Sequence, residues 1–264
     1  MARLLKIGII GGAGWLAQTI IKALLHRGVL SERDIGVSYR SKPPAFFLPA
    51  LSTTNSQDLI DVCETIILSV RPADFINLNI NASGKLVVSM MAGISLEQLM
   101  RSSQASRVVR AMPNVAASVG HSYTPWVASA NLLKGDREIT TRVFEACGIC
   151  DEVESEKELD YLTGFSGSGP AFPALLVEAM RKDAISYGLS PHIAQRAVTA
   201  LLIGTGKLLE AQPKNTEDIV HEFLAYRGVI AASIEAMRQA GFDEAISTGL
   251  KAGRKRIQSI SAPC

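Results

Sequence analysis

The stretch Leu4-Leu5-Lys6-Ile7-Gly8-Ile9-Ile10-Gly11-Gly12-Ala13-Gly14-Trp15-Leu16-Ala17-Gln18-Thr19-Ile20-Ile21-Lys22-Ala23-Leu24-Leu25 decides the fold. Its apolar opening, Leu4 to Ile10, is far too short to span a bilayer and is closed by glycines. It reads as a strand buried on both faces of a parallel sheet. From Gln18 onward the pattern is that of an amphipathic helix. Between strand and helix, Gly12, Gly14 and Ala17 match G-x-G-x-x-A, the turn of a dinucleotide-binding unit. Gly12 makes the turn, Gly14 lets a pyrophosphate approach the backbone, and Ala17 lets helix and strand pack closely. Gly12, Ala13, Gly14, Trp15 and Leu16 are therefore expected to bind cofactor. Gly11 is one residue more than the pattern needs and predicts a slightly bulged strand exit.

The next strand, Asp34 to Tyr39, runs into Arg40-Ser41-Lys42. A cofactor with free ribose hydroxyls calls for a carboxylate here, whereas an arginine suits a 2′-phosphate. Arg40, Ser41 and Lys42 thus favour NADPH over NADH, the plainer alternative being a solvated basic loop. Further strands are expected at Thr65 to Val70, Leu86 to Ser89, Arg107 to Arg110 and Ser122 to Ala128, with helices at Asn55 to Cys63 and Leu96 to Ser102. This alternation is that of an α/β, doubly wound sheet, whose ligands lie beyond the carboxyl ends of the strands. Ser69-Val70-Arg71-Pro72, Met90 to Gly93, and Arg110 to Asn114 with Met112, Pro113 and Asn114, fall at such ends. Together they outline a place for the nicotinamide.

After about Ser155 the strands cease. Helices are expected from Pro170 to Tyr187, from Pro191 to about Glu210, from a cap at Thr216-Glu217-Asp218, and on either side of Gly241. The division predicted is a dinucleotide-binding domain over 1–154 and a helical domain over 155–264. Ile193 to Leu209 is apolar on more than one face, with Gly204 and Gly206 permitting close helix contact, so a second copy of the chain is expected to cover it. Thr163 to Phe172, TGFSGSGPAF, reads as a second glycine-rich loop opening a helix. Ser166 and Ser168 offer hydroxyls, Gly167 and Gly169 allow close backbone approach, and Pro170 suits a first helical turn. An anion or an interdomain turn would each account for it.

At 264 residues and 47% apolar composition, two domains with real cores are expected. A net charge of +2 with mixed signs gives no reason to expect nucleic acid or a membrane surface as partner. Lys251 to Arg256 reads as the solvated face of the last helix. The reading is a cytoplasmic protein without a membrane span or a cleavable leader. Cys147-Gly148-Ile149-Cys150 has redox or half-zinc spacing, but no second pair completes it, and His26, His121, His192 and His221 are scattered. Gly148 instead reads as a helix C-cap with Ile149 to Val153 entering a strand; no metal is expected.

Taken together, Gly12-Ala13-Gly14 with Ala17, Arg40-Ser41, Asn55, Val70-Arg71-Pro72, Ala92-Gly93-Ile94, Met112-Pro113-Asn114, Thr163-Gly164 and Ser166-Gly167-Ser168-Gly169-Pro170-Ala171 resemble Δ1-pyrroline-5-carboxylate reductase over essentially the whole chain. The resemblance implies an N-terminal Rossmann-type doubly wound sheet followed by an all-α dimerisation domain. It implies NADPH-dependent reduction of a cyclic imine in proline synthesis, by a homodimer or higher oligomer acting on a small imino acid. By carry-over, Asn55 contacts the adenosine side of the cofactor, and Val70-Arg71-Pro72, with Ser69, flank the nicotinamide half. Ser166, Gly167, Ser168 and Gly169 would hold the substrate carboxylate. The family's S-P-G-G-T-T loop corresponds to Ala225-Tyr226-Arg227-Gly228-Val229-Ile230, where only the second glycine remains. Tyr226, Arg227 and Gly228 are the candidate substrate contacts there, with Arg227 able to pair a carboxylate. Arg71 also stands where the family usually has Lys. No residue is assigned a catalytic proton transfer. Three readings stay open: a divergent pyrroline-5-carboxylate reductase, a reductase of another imine or carbonyl acid, and a non-catalytic NADPH-binding protein.

Overall fold

The computed structural model describes residues 5–44, 46–211 and 215–261; Leu4 lies outside them. The chain divides into two compact units. One runs through Ser168 and resumes at Gly253, and the other is Gly169–Ala252.

The first unit contains β1 (Leu5–Ile10), α1 (Trp15–His26), β2 (Ile35–Ser38), β3 (Leu51–Thr53), α2 (Ser56–Val62), β4 (Cys63–Leu68), α3 (Pro72–Phe75), β5 (Leu86–Ser89), α4 (Leu96–Ser103), β6 (Arg107–Ala111), β7 (Ser122–Ala128), α5 (Lys134–Glu145), β8 (Gly148–Glu152) and α6 (Glu156–Leu162). The strands form one sheet in the order β3-β2-β1-β4-β5-β6-β7-β8. Pairing is parallel except between β6 and β7, and β8 runs parallel to β7. Ile9 lies opposite Val37 on one side and Ile67 on the other. Alternation sends Ile7, Ile9, Val37 and Ile67 to the face covered by Ile20, Ile21 and Leu24 of α1 and Phe144 of α5. It sends Ile10, Ile66 and Leu68 to the opposite face, against Leu59 and Ile60 of α2 and Leu99 of α4. Both faces are thus dry, which is why these strands read as unbroken apolar runs.

The expected strands and helices of this unit are present, with three differences. The edge strand β3 is new. Three residues behind a proline carry too little pattern to announce a strand, and β3 exists because Gly36, Val37 and Ser38 pair with it. Strand β4 ends at Leu68 rather than Val70, since Arg71 is held extended ahead of Pro72 and Pro72 opens α3. The compact unit also extends to Ser168 rather than stopping at 154, because ion pairs from β6 tie α6 to the sheet.

The second unit holds α7 (Ala171–Ser186), α8 (Pro191–Ala211), α9 (Thr216–Ala225), α10 (Val229–Gln239) and the first part of α11 (Phe242–Ser261). Asn215, one residue before the expected cap, accepts the Asp218 amide at 2.8 Å to open α9. Within the chain α8 buries only Ala194 and Val198. Among the described residues nothing lies within 4 Å of where a Cβ on Gly204 or Gly206 would stand, so the close helix contact expected there is not made by them. Among the described residues no helix is long and apolar enough to cross a membrane.

Gly11 (φ +82°) occupies the left-handed region, and a Cβ there would collide with the Ser69 carbonyl. Gly28 (φ +64°) shares the conformation, but nothing lies within 4 Å of its Cβ position. Urea unfolding is therefore expected to show Gly11→Ala destabilised by about 3 kcal/mol and Gly28→Ala by only about 1 kcal/mol. Equal losses would mean that the Ser69 contact is slack.

Candidate functional site

The exit of β1 is pinned by backbone. The amides of Gly11 and Gly12 both donate to the Ser38 carbonyl, at 3.0 and 2.9 Å. The Gly14 amide donates to Gly11 at 2.9 Å, and Gln18 Nε2 donates to the Ala13 carbonyl at 2.7 Å. A Cβ on Gly12 would stand 2.8 Å from that of Val37. Helix α1 then begins at Trp15 with Gly14 as its N-cap and no side-chain cap. By contrast α2, α4, α6 and α9 are capped by Asn55, Ser95, Ser155 and Asn215. The first amides of α1 have no intrahelical acceptor, and with the helix dipole they favour an anion.

This helix end opens on a cleft of about 930 Å³ at the carboxyl ends of β1, β2 and β4. Of the expected cofactor residues, Ala13, Gly14, Trp15, Leu16, Arg40, Ser41, Lys42, Ser69, Val70 and Arg71 line it. Gly12 lies beneath the turn, and Pro72 sits at the first position of α3. Asn55 is engaged in capping: its Oδ1 accepts the Gln57 amide at 3.0 Å and its Nδ2 donates to Asp58 at 2.8 Å. Its neighbours Thr54 and Ser56 line the cleft instead, with Leu78, Met90 and Asp74. Thr54 follows β3, so the strand-end rule would have found it had that strand been legible. Trp15 is 55% exposed at the head of α1.

Met112, Pro113 and Asn114 do not line this cleft. Met112 packs with Val127 and Leu159, while Asn114 accepts the Ala116 amide at 2.9 Å and donates to the Ser166 carbonyl at 3.0 Å. The expected open loop is also wound differently. Thr163–Gly167 continues α6 as a π-helical turn, and α7 opens only at Ala171. Thr163 and Ser166 return their hydroxyls to the Leu159 and Leu162 carbonyls at 2.7 and 2.9 Å. The Ser166 proton expected for a ligand is thus bonded within the turn, whereas Ser168 is exposed. Such turns often mark functional sites.

Arg110, whose side chain is 3% exposed, donates to Glu156 at 2.5 Å and Asp160 at 2.9 Å. Glu156 also accepts the Leu96 amide at 2.9 Å. The sequence marked Arg110 as a strand end without a role; its partners lie 46 and 50 residues away and leave no local signal.

Residues 156–260 match the family model for pyrroline-5-carboxylate reductase dimerisation, and residues 6–93 match one described as NADP oxidoreductase, coenzyme F420-dependent. Pyrroline-5-carboxylate reductase of Synechocystis sp. is 28% identical over 265 residues, covering 97% of this chain and 98% of its own. The 1-pyrroline-5-carboxylate reductase of Streptococcus pyogenes superposes with a TM-score of 0.84 at 27% identity, covering 98% and 100%. That of Coxiella burnetii gives 0.89 at 23% identity, covering 98% and 99%, a likeness of fold. Over nearly its whole length, then, the chain is similar to pyrroline-5-carboxylate reductases.

The loop at 225–230, unusual in sequence, also has an uncommon backbone conformation in this chain. Arg227 adopts φ +49°, one of two described non-glycine residues with positive φ. It sits between α9 and α10, with Gly228 as the N-cap of α10 and Tyr226 exposed. A non-glycine residue there carries about 1–2 kcal/mol of strain, a pattern that clusters at ligand sites.

The thiols bear on the C-x-x-C spacing. Burial pushes Cys63 up to about 12 and Cys147 and Cys150 up to about 11, away from the thiolate that redox or metal chemistry uses. Among the described residues no group of three or more His, Cys, Asp or Glu side chains is placed to hold a metal. Tyr123 is raised as well, by burial first and then by Asp151. The folded state keeps these protons when an unfolded chain would lose them. Their contribution to stability is therefore complete below the ordinary thiol value of 9.0 and falls as pH rises toward 11 and 12. Urea midpoints are expected to drop between about pH 8 and pH 10.5. A midpoint that holds or rises would contradict these values.

Proposed function

We propose that this protein reduces 1-pyrroline-5-carboxylate to L-proline with NADPH, the step that completes proline synthesis. The observation that carries the reading is the cleft, in which an uncapped helix end and a cationic strand end face one space in a chain similar to pyrroline-5-carboxylate reductases. The donor set fits a phosphorylated dinucleotide: free amides of α1 for the pyrophosphate, and Arg40, Ser41 and Lys42 for the 2′-phosphate. Ser69, Val70 and Arg71 also line the cleft and are the residues proposed to flank the nicotinamide half. When bound, NADPH supplies hydride to the imine carbon. The chain's own task is then to orient and to bind charge, which supplies much of the rate without a strong base. Backbone and Ser168 in the segment 166–169 hold the substrate carboxylate, and Asn114 keeps that turn in place through the Ser166 carbonyl. Tyr226, Arg227 and Gly228 are the further candidate substrate contacts, with Arg227 in place of the missing hydroxyls.

Purified protein is expected to oxidise NADPH saturably with 1-pyrroline-5-carboxylate and not without it. Arg227→Ala should raise KM for the imino acid by about ten- to a hundred-fold, the range for a charge-assisted hydrogen bond, with the NADPH Kd unchanged. The recast loop also favours a second reading, reduction of another imine or carbonyl acid. NADPH binding without turnover of pyrroline-5-carboxylate, but with turnover of a different cyclic imine, would decide for it.

A homodimer in the cytoplasm goes with this reading. The dimerisation model covers the helical region, and Leu175, Ile193, Leu201 and Ile203 are exposed to solvent within the chain. Among the described residues the cysteines Cys63, Cys147 and Cys150 are free thiols, which suits a reducing compartment. Light scattering should give twice the mass of one chain, and Leu201→Glu with Ile203→Glu should halve it. A monomeric parent chain would overturn the dimer.

A further inference from the structure

Asp74 is the one carboxylate among the described residues lining the cleft, where the other charged groups are Arg40, Lys42 and Arg71. Its Oδ1 lies 3.6 Å from Nη1 of Arg40, with the two side chains 47% and 79% exposed. The contact links the loop after β2 to α3 within the lining of the cleft. An ion pair this exposed is weak, so the guanidinium can exchange partners readily. Arg40 is also the group best suited to a 2′-phosphate.

A carboxylate in this place acts twice against a phosphorylated ribose. It competes for the guanidinium, and it repels the incoming dianion. A free 2′-hydroxyl suffers neither effect, since it is uncharged and can donate to a carboxylate. We propose that Asp74 is a specificity-determining residue that offsets Arg40 and holds down the preference for NADPH over NADH. This rests on the NADPH reading given above. No motif marks Asp74: it lies on a four-residue helix well beyond the strand end where a ribose-binding carboxylate is usually sought.

The test is a binding measurement on the full-length protein, following Trp15 fluorescence during titration with NADPH and separately with NADH. Asp74→Asn keeps the shape and removes the charge. It is expected to tighten NADPH about five-fold while NADH stays within about two-fold, and the gain should shrink as salt rises from about 0.05 to 0.5 M. Arg40→Gln should weaken NADPH and leave NADH nearly unchanged. An NADPH Kd that is unmoved or weaker in Asp74→Asn overturns the proposal; a weaker one would mean that the carboxylate holds Arg40 in position instead. If the parent chain binds neither dinucleotide, the cofactor reading fails and this inference fails with it. NADPH binding with an unaltered NADPH-to-NADH ratio in Asp74→Asn overturns this inference alone.

Discussion

The close passage of the Gly11–Gly14 turn between the ends of β2 and β4 is the constraint on which the first unit depends. Two consecutive amides share one acceptor on β2, and the Ser69 backbone of the neighbouring strand end fills the space a side chain would need. Only glycine at positions 11 and 12 meets both conditions, and meeting them aims α1 at the crevice with its amides free. The cleft therefore follows from sheet packing and needs no separate scaffold. The side chains that give it character, Arg40 and Asp74 among them, are added on the neighbouring loops where the sheet order β2-β1-β4 brings them together.

A second anchor works from β6. Arg110 and Asn114, four residues apart, hold opposite ends of one segment: Arg110 takes Glu156 and Asp160 on α6, and Asn114 takes the Ser166 carbonyl in the π turn. A buried guanidinium costs desolvation energy that its two carboxylates must offset, and Arg110 Nε has no partner among the described groups. Such an arrangement contributes position more surely than stability. It accounts for a π turn held to the loop after β6, although the sequence assigns that turn to the helical part of the chain.

Much of this was legible because it rests on local chemistry. The apolar runs of β1, β4 and β5, the glycine turn, the arginine after β2, and the proline and glycine boundaries of α7, α8 and α11 each follow from a few adjacent residues. Strand β3 was hidden because three residues owe their conformation to a neighbour. The winding at Thr163–Gly167 was hidden because glycine and serine permit an open loop and a π turn equally, and the choice falls to hydroxyl bonds back to Leu159 and Leu162. Asn55 was legible as a helix start, and its side chain is engaged by Gln57 and Asp58.

By itself, then, the sequence determined the class of fold and the glycine turn between β1 and α1, since these depend on which residues can adopt a backbone conformation or bury a face. Tertiary structure alone decided which side chains share the cleft, that Asp74 stands against Arg40, and that Arg110 binds α6 to the sheet. Those facts are distances between residues far apart in the chain, and they exist only once the strands have taken their order.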